Sequence, residues 1–272
     1  MKLNVPTLRL LAVLLCPFLP AARAVIIAPM DNNPSVTPSD WFGCKRIDFV
    51  VAGRPALLII PEKPAPGKPW IWRTEWFGHF PQADLALVAL GWHVGYMNVK
   101  DMYGDLASMK LLDAYYQHVR AEYGLAPKVV VEGVSRGGLY AINFTATWPD
   151  RVAALYLDAP ALDLLSWPGR KSRLWAGVLA GYGVTDAQFA TANVNPIDRI
   201  EPLVRAGIPI FGVSGDADES VSYPDNLRLF ATRYRAAGGL IEVVVKPGGK
   251  HHPHSLVDPK PIVDFLLTHA RQ

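Results

Sequence analysis

The apolar positions along this chain switch repeatedly between short solid runs and the three-to-four spacing of helices. Arg46–Ala52 and Pro55–Ile60 read as a strand pair around a Gly53-Arg54 turn. Pro69–Thr74 and Trp92–Val99 read as strands, and between them a helix is predicted over Gln82–Leu90, stopping at Gly91. A longer helix is predicted over Leu106–Tyr123, ended by Gly124 and Pro127. Lys128–Glu132, built on Val129-Val130-Val131, and Val152–Leu157 have the solid apolar character of strands covered on both faces. Gly138–Trp148 reads as a helix stopped by Pro149. The rhythm lapses over residues 160–200, read as a short cap insertion, and resumes with strand Ile208–Ser214, helix Asn226–Ala236, strand Leu240–Val245 and helix Ile262–Ala270. Strands alternating with helices imply an α/β fold with a mostly parallel central sheet and helices on both faces. Residues 25–40, rich in Pro, Asn and Ser, are expected to wrap the surface, and no linker divides residues 25–272 into separate domains.

Composition supports a globular reading: of 272 residues, 50% are apolar and 19% charged. The first 24 residues change the charge picture. Lys2 and Arg9 precede an apolar run from Leu10 to Pro20, and Ala22-Arg23-Ala24 fits a small-x-small cleavage site. The run is short for a bilayer span, which needs roughly 20 apolar residues. A cleaved signal peptide over residues 1–24 is therefore expected, with an exported, periplasmic or extracellular product and no stable membrane insertion. Leu15 before Cys16 argues against a lipoprotein. That segment holds three of the 27 basic residues and no acid, leaving 24 bases against 24 acids. No basic cluster remains to suggest a nucleic-acid partner. Only Cys44 lies beyond the cleavage site, so no intrachain disulfide is expected.

Gly133-Val134-Ser135-Arg136-Gly137 has the G-x-S-x-G form. The pattern alone arises by chance in roughly one in ten chains of this length. Here it directly follows a predicted strand and directly precedes a predicted helix, the setting in which a tight turn lifts a nucleophilic serine to the end of a sheet. A serine hydroxyl needs a base, and three histidines lie in Gly249-Lys250-His251-His252-Pro253-His254. His251, directly after the glycine turn, is the first candidate and His252 the second. His254 is better suited to a hydrogen bond within the loop. For the carboxylate that orients the base, Gly215-Asp216-Ala217-Asp218 offers Asp218, with Asp216 as a turn brace and Asp158 as an alternative. Three histidines within four residues also raise a metal site, but no acid or cysteine lies beside them in sequence, and none is expected.

On Gly133–Gly138, Gly215–Asp218 and Gly249–His254 the chain resembles the α/β-hydrolase superfamily. It is particularly similar to secreted bacterial hydrolases related to the dienelactone-hydrolase and prolyl-oligopeptidase catalytic domains. The order Ser135, Asp218, His251 is the order of that superfamily. The resemblance implies a serine hydrolase without metal or organic cofactor. Some relatives act as carbohydrate esterases and others cleave peptides. One departure stands out: where many members carry His-Gly after the third strand, this chain reads Trp72-Arg73-Thr74-Glu75-Trp76. The backbone N–H of Glu75, or of Trp76, is expected to serve the oxyanion hole there, with the N–H of Arg136 as the second donor.

Substrate signals are weaker. Arg73 and Arg136 flank the expected site, and either could clamp a substrate carboxylate or pair with Glu75, Glu132 or Asp158. Trp76, Phe77, Phe80, Tyr103, Trp167 and Trp175 cluster near the expected mouth, and Trp76 and Trp167 are taken with Arg73 as substrate-binding. The expected partner is a small-molecule or glycan ester, with a peptide, or a non-catalytic binding role on the same fold, as the alternatives.

Overall fold

The computed structural model describes Met1 and residues 37–270. The expected signal segment lies outside the described residues. Nine strands form one sheet in the order β1-β2-β3-β5-β4-β6-β7-β8-β9. They are β1 Thr37–Trp41, β2 Cys44–Val51, β3 Arg54–Ile60, β4 Trp70–Arg73, β5 His93–Met97, β6 Val129–Val134, β7 Val152–Asp158, β8 Ile210–Gly215 and β9 Ile241–Lys246. β1, β2, β3 and β5 pair antiparallel in succession, and β5 through β9 pair parallel. The fold is the mostly parallel sheet of an α/β-hydrolase, with an antiparallel edge. β1 overlaps the end of the segment, residues 25–40, expected only to wrap the surface. Its sequence, TPSDW, carries no apolar alternation, and its backbone pairing with β2 is what makes it a strand.

Eight α-helices complete the described chain: α1 Gln82–Ala89, α2 Leu106–Tyr123, α3 Gly137–Thr147, α4 Trp175–Tyr182, α5 Asp186–Phe189, α6 Glu201–Arg205, α7 Leu229–Ala236 and α8 Lys260–His269. α2 starts where Asp105 accepts from Ser108 N and ends at Gly124 in the left-handed conformation. The helix read over Asn226–Ala236 opens instead as a π-helical turn, Pro224–Arg228, before α7.

The sheet buries apolar side chains on both faces. On one, Leu87 of α1 and Ile262, Phe265 and Leu266 of α8 meet Val130, Ala154 and Phe211. On the other, Leu112, Val119, Leu139, Phe144, Phe230 and Tyr234 pack on Trp72, Val131 and Leu155. β4, β6, β7 and β8 are buried at every position, which explains their solid apolar runs. Residues 160–200 carry α4, α5 and a 3-10 turn at Pro196–Asp198, and Val178, Tyr182, Phe189 and Ile197 join the α2–α3 side of the core. Among the described residues, no helix is long and apolar enough to cross a membrane.

Candidate active site

The site assembles at the C-terminal ends of the parallel strands, where the loops after β4, β6, β8 and β9 meet. Ser135 follows β6 directly and sits at φ +53°, a left-handed conformation that costs a serine free energy. Surrounding bonds hold it there: Ser135 N donates to Asp158 O (2.8 Å), and Ser135 O accepts from Gly138 N (3.0 Å) and Ala161 N (2.8 Å). Gly133 lets α3 turn back against β6. A Cβ on it would lie 2.9 Å from Gly138 Cα and from Ala141 Cβ.

Ser135 Oγ is 2.9 Å from His251 Nε2, and His251 Nδ1 is 2.7 Å from Asp218 Oδ2. A carboxylate only accepts, so Nδ1 carries the proton and Nε2 faces the serine as an acceptor. Asp218 Oδ1 accepts from Ser220 N (2.8 Å) and Val221 N (2.9 Å), which fixes the carboxylate in a site its side chain shares with no solvent. The loops after β8 and β9 touch closely enough for this. A Cβ on Gly215 would meet Gly249 O at 2.1 Å, and Ala217 N donates to Gly249 O at 2.9 Å. Asp216 Oδ1 accepts from Gly248 N at 2.7 Å, the brace its position implied.

The other candidates fall elsewhere. His252 is exposed and bonds neither Ser135 nor Asp218. His254 is buried, with Nδ1 3.2 Å from Asp158 Oδ1. Asp158 Oδ2 accepts from Ser255 N and from Tyr156 Oη (3.0 Å), so this acid anchors the histidine loop. Burial and the neighbouring imidazoles lower the pKa of His252.

Arg73, expected to bind substrate, is engaged within the protein instead. It is 2% exposed, beneath the site, where it pairs with Glu132 (2.7 Å) and Asp84 (3.0 Å) and donates to the carbonyls of Trp76 (2.9 Å) and His79 (2.6 Å). Two acids facing one buried guanidinium leave an excess negative charge. Burial raises the Asp84 pKa well above the usual carboxylate range, against the lowering effect of Arg73. Arg136 is also committed. It forms a bidentate pair with Glu75 (2.5 and 2.8 Å), meets Asp101 (2.8 Å), and lies 4.8 Å from the Trp76 ring and 5.8 Å from that of Tyr103. Burial raises the Glu75 pKa, against the lowering effect of its bonds to Arg136.

The two backbone groups expected to bind an oxyanion therefore belong to residues whose side chains grip each other. Neither Glu75 N nor Arg136 N donates to an acceptor among the described residues. Thr74 Oγ1 lies within 3.0 Å of both Glu132 O and Gly137 O, tying the end of β4 to the serine turn.

Trp76 is partly exposed beside Arg136, and Trp167 partly exposed with its ring 6.2 Å from Tyr103. Trp175, by contrast, is buried against Phe189 in the cap. Sequence reading missed Tyr140. Its hydroxyl donates to Val99 O and accepts from Met102 N and Tyr103 N, pinning the loop that carries Asp101 and Tyr103. A single tyrosine in a helix gives no local sign of such a role.

Residues 97–270 match the prolyl oligopeptidase family. No curated protein is significantly similar in sequence. Among solved structures, the chain superposes on a Pyrococcus horikoshii acylaminoacyl peptidase with a TM-score of 0.64 and 13% identity, covering 89% of this chain and 43% of that one. It thus spans less than half of that peptidase's length. An S-formylglutathione hydrolase from Agrobacterium tumefaciens gives 0.58 at 15% identity, covering 87% and 98%. Est1E from Butyrivibrio proteoclasticus gives 0.57 at 19% identity, covering 86% and 98%. At these identities the likeness concerns the fold. The family match spans the serine turn, the acid loop and the histidine loop together, and the chain accordingly belongs to the prolyl oligopeptidase family of α/β-hydrolase serine hydrolases.

Proposed function

We propose that the protein hydrolyses an uncharged carboxylic ester, among them esters on carbohydrates, through an acyl-enzyme on Ser135. The observation that carries this reading is the continuous chain Ser135 Oγ–His251 Nε2 and His251 Nδ1–Asp218, joined at a strained strand-to-helix turn. His251 takes the serine proton as Oγ attacks the ester carbonyl, and Asp218 stabilises the imidazolium that forms. The oxyanion rests on the N–H groups of Arg136 and Glu75, each worth about 3–4 kcal/mol in favourable cases. His251 then protonates the leaving alkoxide, and water activated by the same histidine releases the acid.

An uncharged substrate follows from the arginines. Both guanidiniums near the serine are already paired with carboxylates, so neither is left to bind a substrate's negative charge. Trp76, Tyr103 and Trp167 offer apolar faces instead. An ester is favoured over an amide because an alkoxide leaves with less help from the acid. A serine peptidase is the second reading, favoured by the family.

The test has two steps. A fluorophosphonate probe should label the wild type and not Ser135→Ala. Then kcat/KM on acetyl and methyl esters, glycan esters included, is compared with that on matched peptide anilides. Esters turned over at least 100-fold faster support the proposal, and faster peptide cleavage replaces it with the second reading.

A further inference from the structure

Three histidine rings meet beside the serine. The centroids of His251, His252 and His254 lie 5.0, 4.8 and 4.7 Å apart pairwise. One ring nitrogen from each lies within 4.8 Å of those from the other two. The proposed hydrolysis uses only one of them. We infer that these histidines form a site for a single divalent transition-metal ion of the zinc type, and that its binding occupies His251 Nε2 and switches the serine off.

The hydrogen bonds carry the argument. Histidines that ligate metals hold their other ring nitrogen on a carboxylate or carbonyl, which fixes the tautomer and raises basicity. Two of these three already do so: His251 Nδ1 on Asp218 at 2.7 Å, and His254 Nδ1 on Asp158 at 3.2 Å. His254 therefore has Nε2 to offer, and His251 would offer the Nε2 that otherwise accepts the Ser135 hydroxyl. The two carboxylates behind them also balance the ion's two positive charges. The loop is held from below, because Lys246 Nζ donates to Pro253 O (2.6 Å) and Ser255 O (3.3 Å). His252 is the exposed member of the three. Tetrahedral zinc at about 2.0–2.1 Å from each nitrogen needs nitrogens about 3.4 Å apart. A separation of 4.8 Å, the most any pair shows, would close by about 1.4 Å on binding. Imidazole donors select zinc, copper or nickel over magnesium or calcium.

Switching follows from one shared lone pair. His251 Nε2 accepts the Ser135 hydroxyl at 2.9 Å. Bound to a metal, that nitrogen no longer accepts a proton, so the proton stays on Ser135 and the hydroxyl is not activated. This coupling rests on the assignment of His251 as base, whereas the ion site itself does not.

The test uses chelator-stripped full chain. Calorimetric titration with zinc chloride should give one ion per chain in the wild type and in Ser135→Ala. Fluorophosphonate labelling should fall at least tenfold at saturating zinc, return on adding EDTA, and ignore magnesium. His252→Ala should weaken zinc binding at least tenfold while labelling without zinc is unchanged. Absence of stoichiometric binding, binding unaffected by His252→Ala, or bound zinc that leaves labelling intact would each overturn the inference. Labelling before zinc is added reports separately on the serine-hydrolase reading, and the calorimetry tests the site even if labelling is absent.

Discussion

Asp218 divides its carboxylate between the His251 Nδ1 proton and two backbone N–H groups. Asp218→Asn presents an amide N–H to one of those donors, and the histidine then prefers the wrong tautomer. kcat on an ester substrate is expected to drop by about 10³–10⁴ with a small change in KM, since tautomer control acts on proton transfer rather than binding. Glu75→Gln tests a subtler role. It removes the charge that holds Arg136 while keeping the Glu75 backbone N–H. If that pair aligns the two oxyanion donors, kcat should fall about tenfold to a hundredfold with KM nearly constant. Glu75→Gln kinetics in which only KM rises would instead assign the pair to substrate binding. Arg73 belongs to the same scale. Its neighbours in sequence suggested a clamp, but its ion partners stand 11 residues away at Asp84 and 59 away at Glu132. Pairing with Glu132 was the alternative the sequence offered, whereas Asp84 was not among the candidates.

At the scale of elements, the serine turn depends on β6 and α3 approaching closely. Gly133→Ala would press a methyl against Gly138 Cα and Ala141 Cβ, atoms of the returning helix that cannot rotate away. Overpacking of this kind costs about 1–3 kcal/mol, to be read from the midpoint of urea unfolding. Tyr140 reaches from α3 to the loop carrying Asp101 and Tyr103. Tyr140→Phe leaves a carbonyl and two N–H groups without their partner, so a comparable loss of stability is expected by the same measurement. The helices and buried strands were legible because their periods are local. The parts that departed were short or irregular. β1 is a strand through pairing with β2 alone, and α6, five residues starting Glu201-Pro202, was too short to show a helical period.

Across the whole molecule, the buried Asp84 beneath the sheet ends is expected to make stability depend on pH. Its folded pKa is raised well above the unfolded carboxylate value, through burial first. A raised carboxyl pKa contributes stability that is fully present below the unfolded value of about 3.9 and lost as pH rises through the folded pKa. Asp84→Asn cannot ionise. The unfolding free energy of the variant minus that of the wild type should therefore grow as pH rises from about 4 to 8. A difference that stays flat over that range would mean the wild-type carboxyl is ionised throughout. Comparison by difference matters, because exposed ion pairs elsewhere shift both proteins alike.

By itself the sequence determined the alternation that builds the sheet, and a serine on a glycine-flanked turn between a strand and a helix. Both are local: a backbone period, and the space needed for a chain to reverse within a few residues. Sequence also narrowed the base to one short loop and the acid to one of two strand ends. Tertiary structure alone separated His251 from His252, turned Asp158 from a candidate acid into the anchor of the histidine loop, and buried Arg73 between two carboxyl groups. Those outcomes depend on which loops converge at the strand ends and on how burial forces each charge to find a partner, and both are properties of the folded chain.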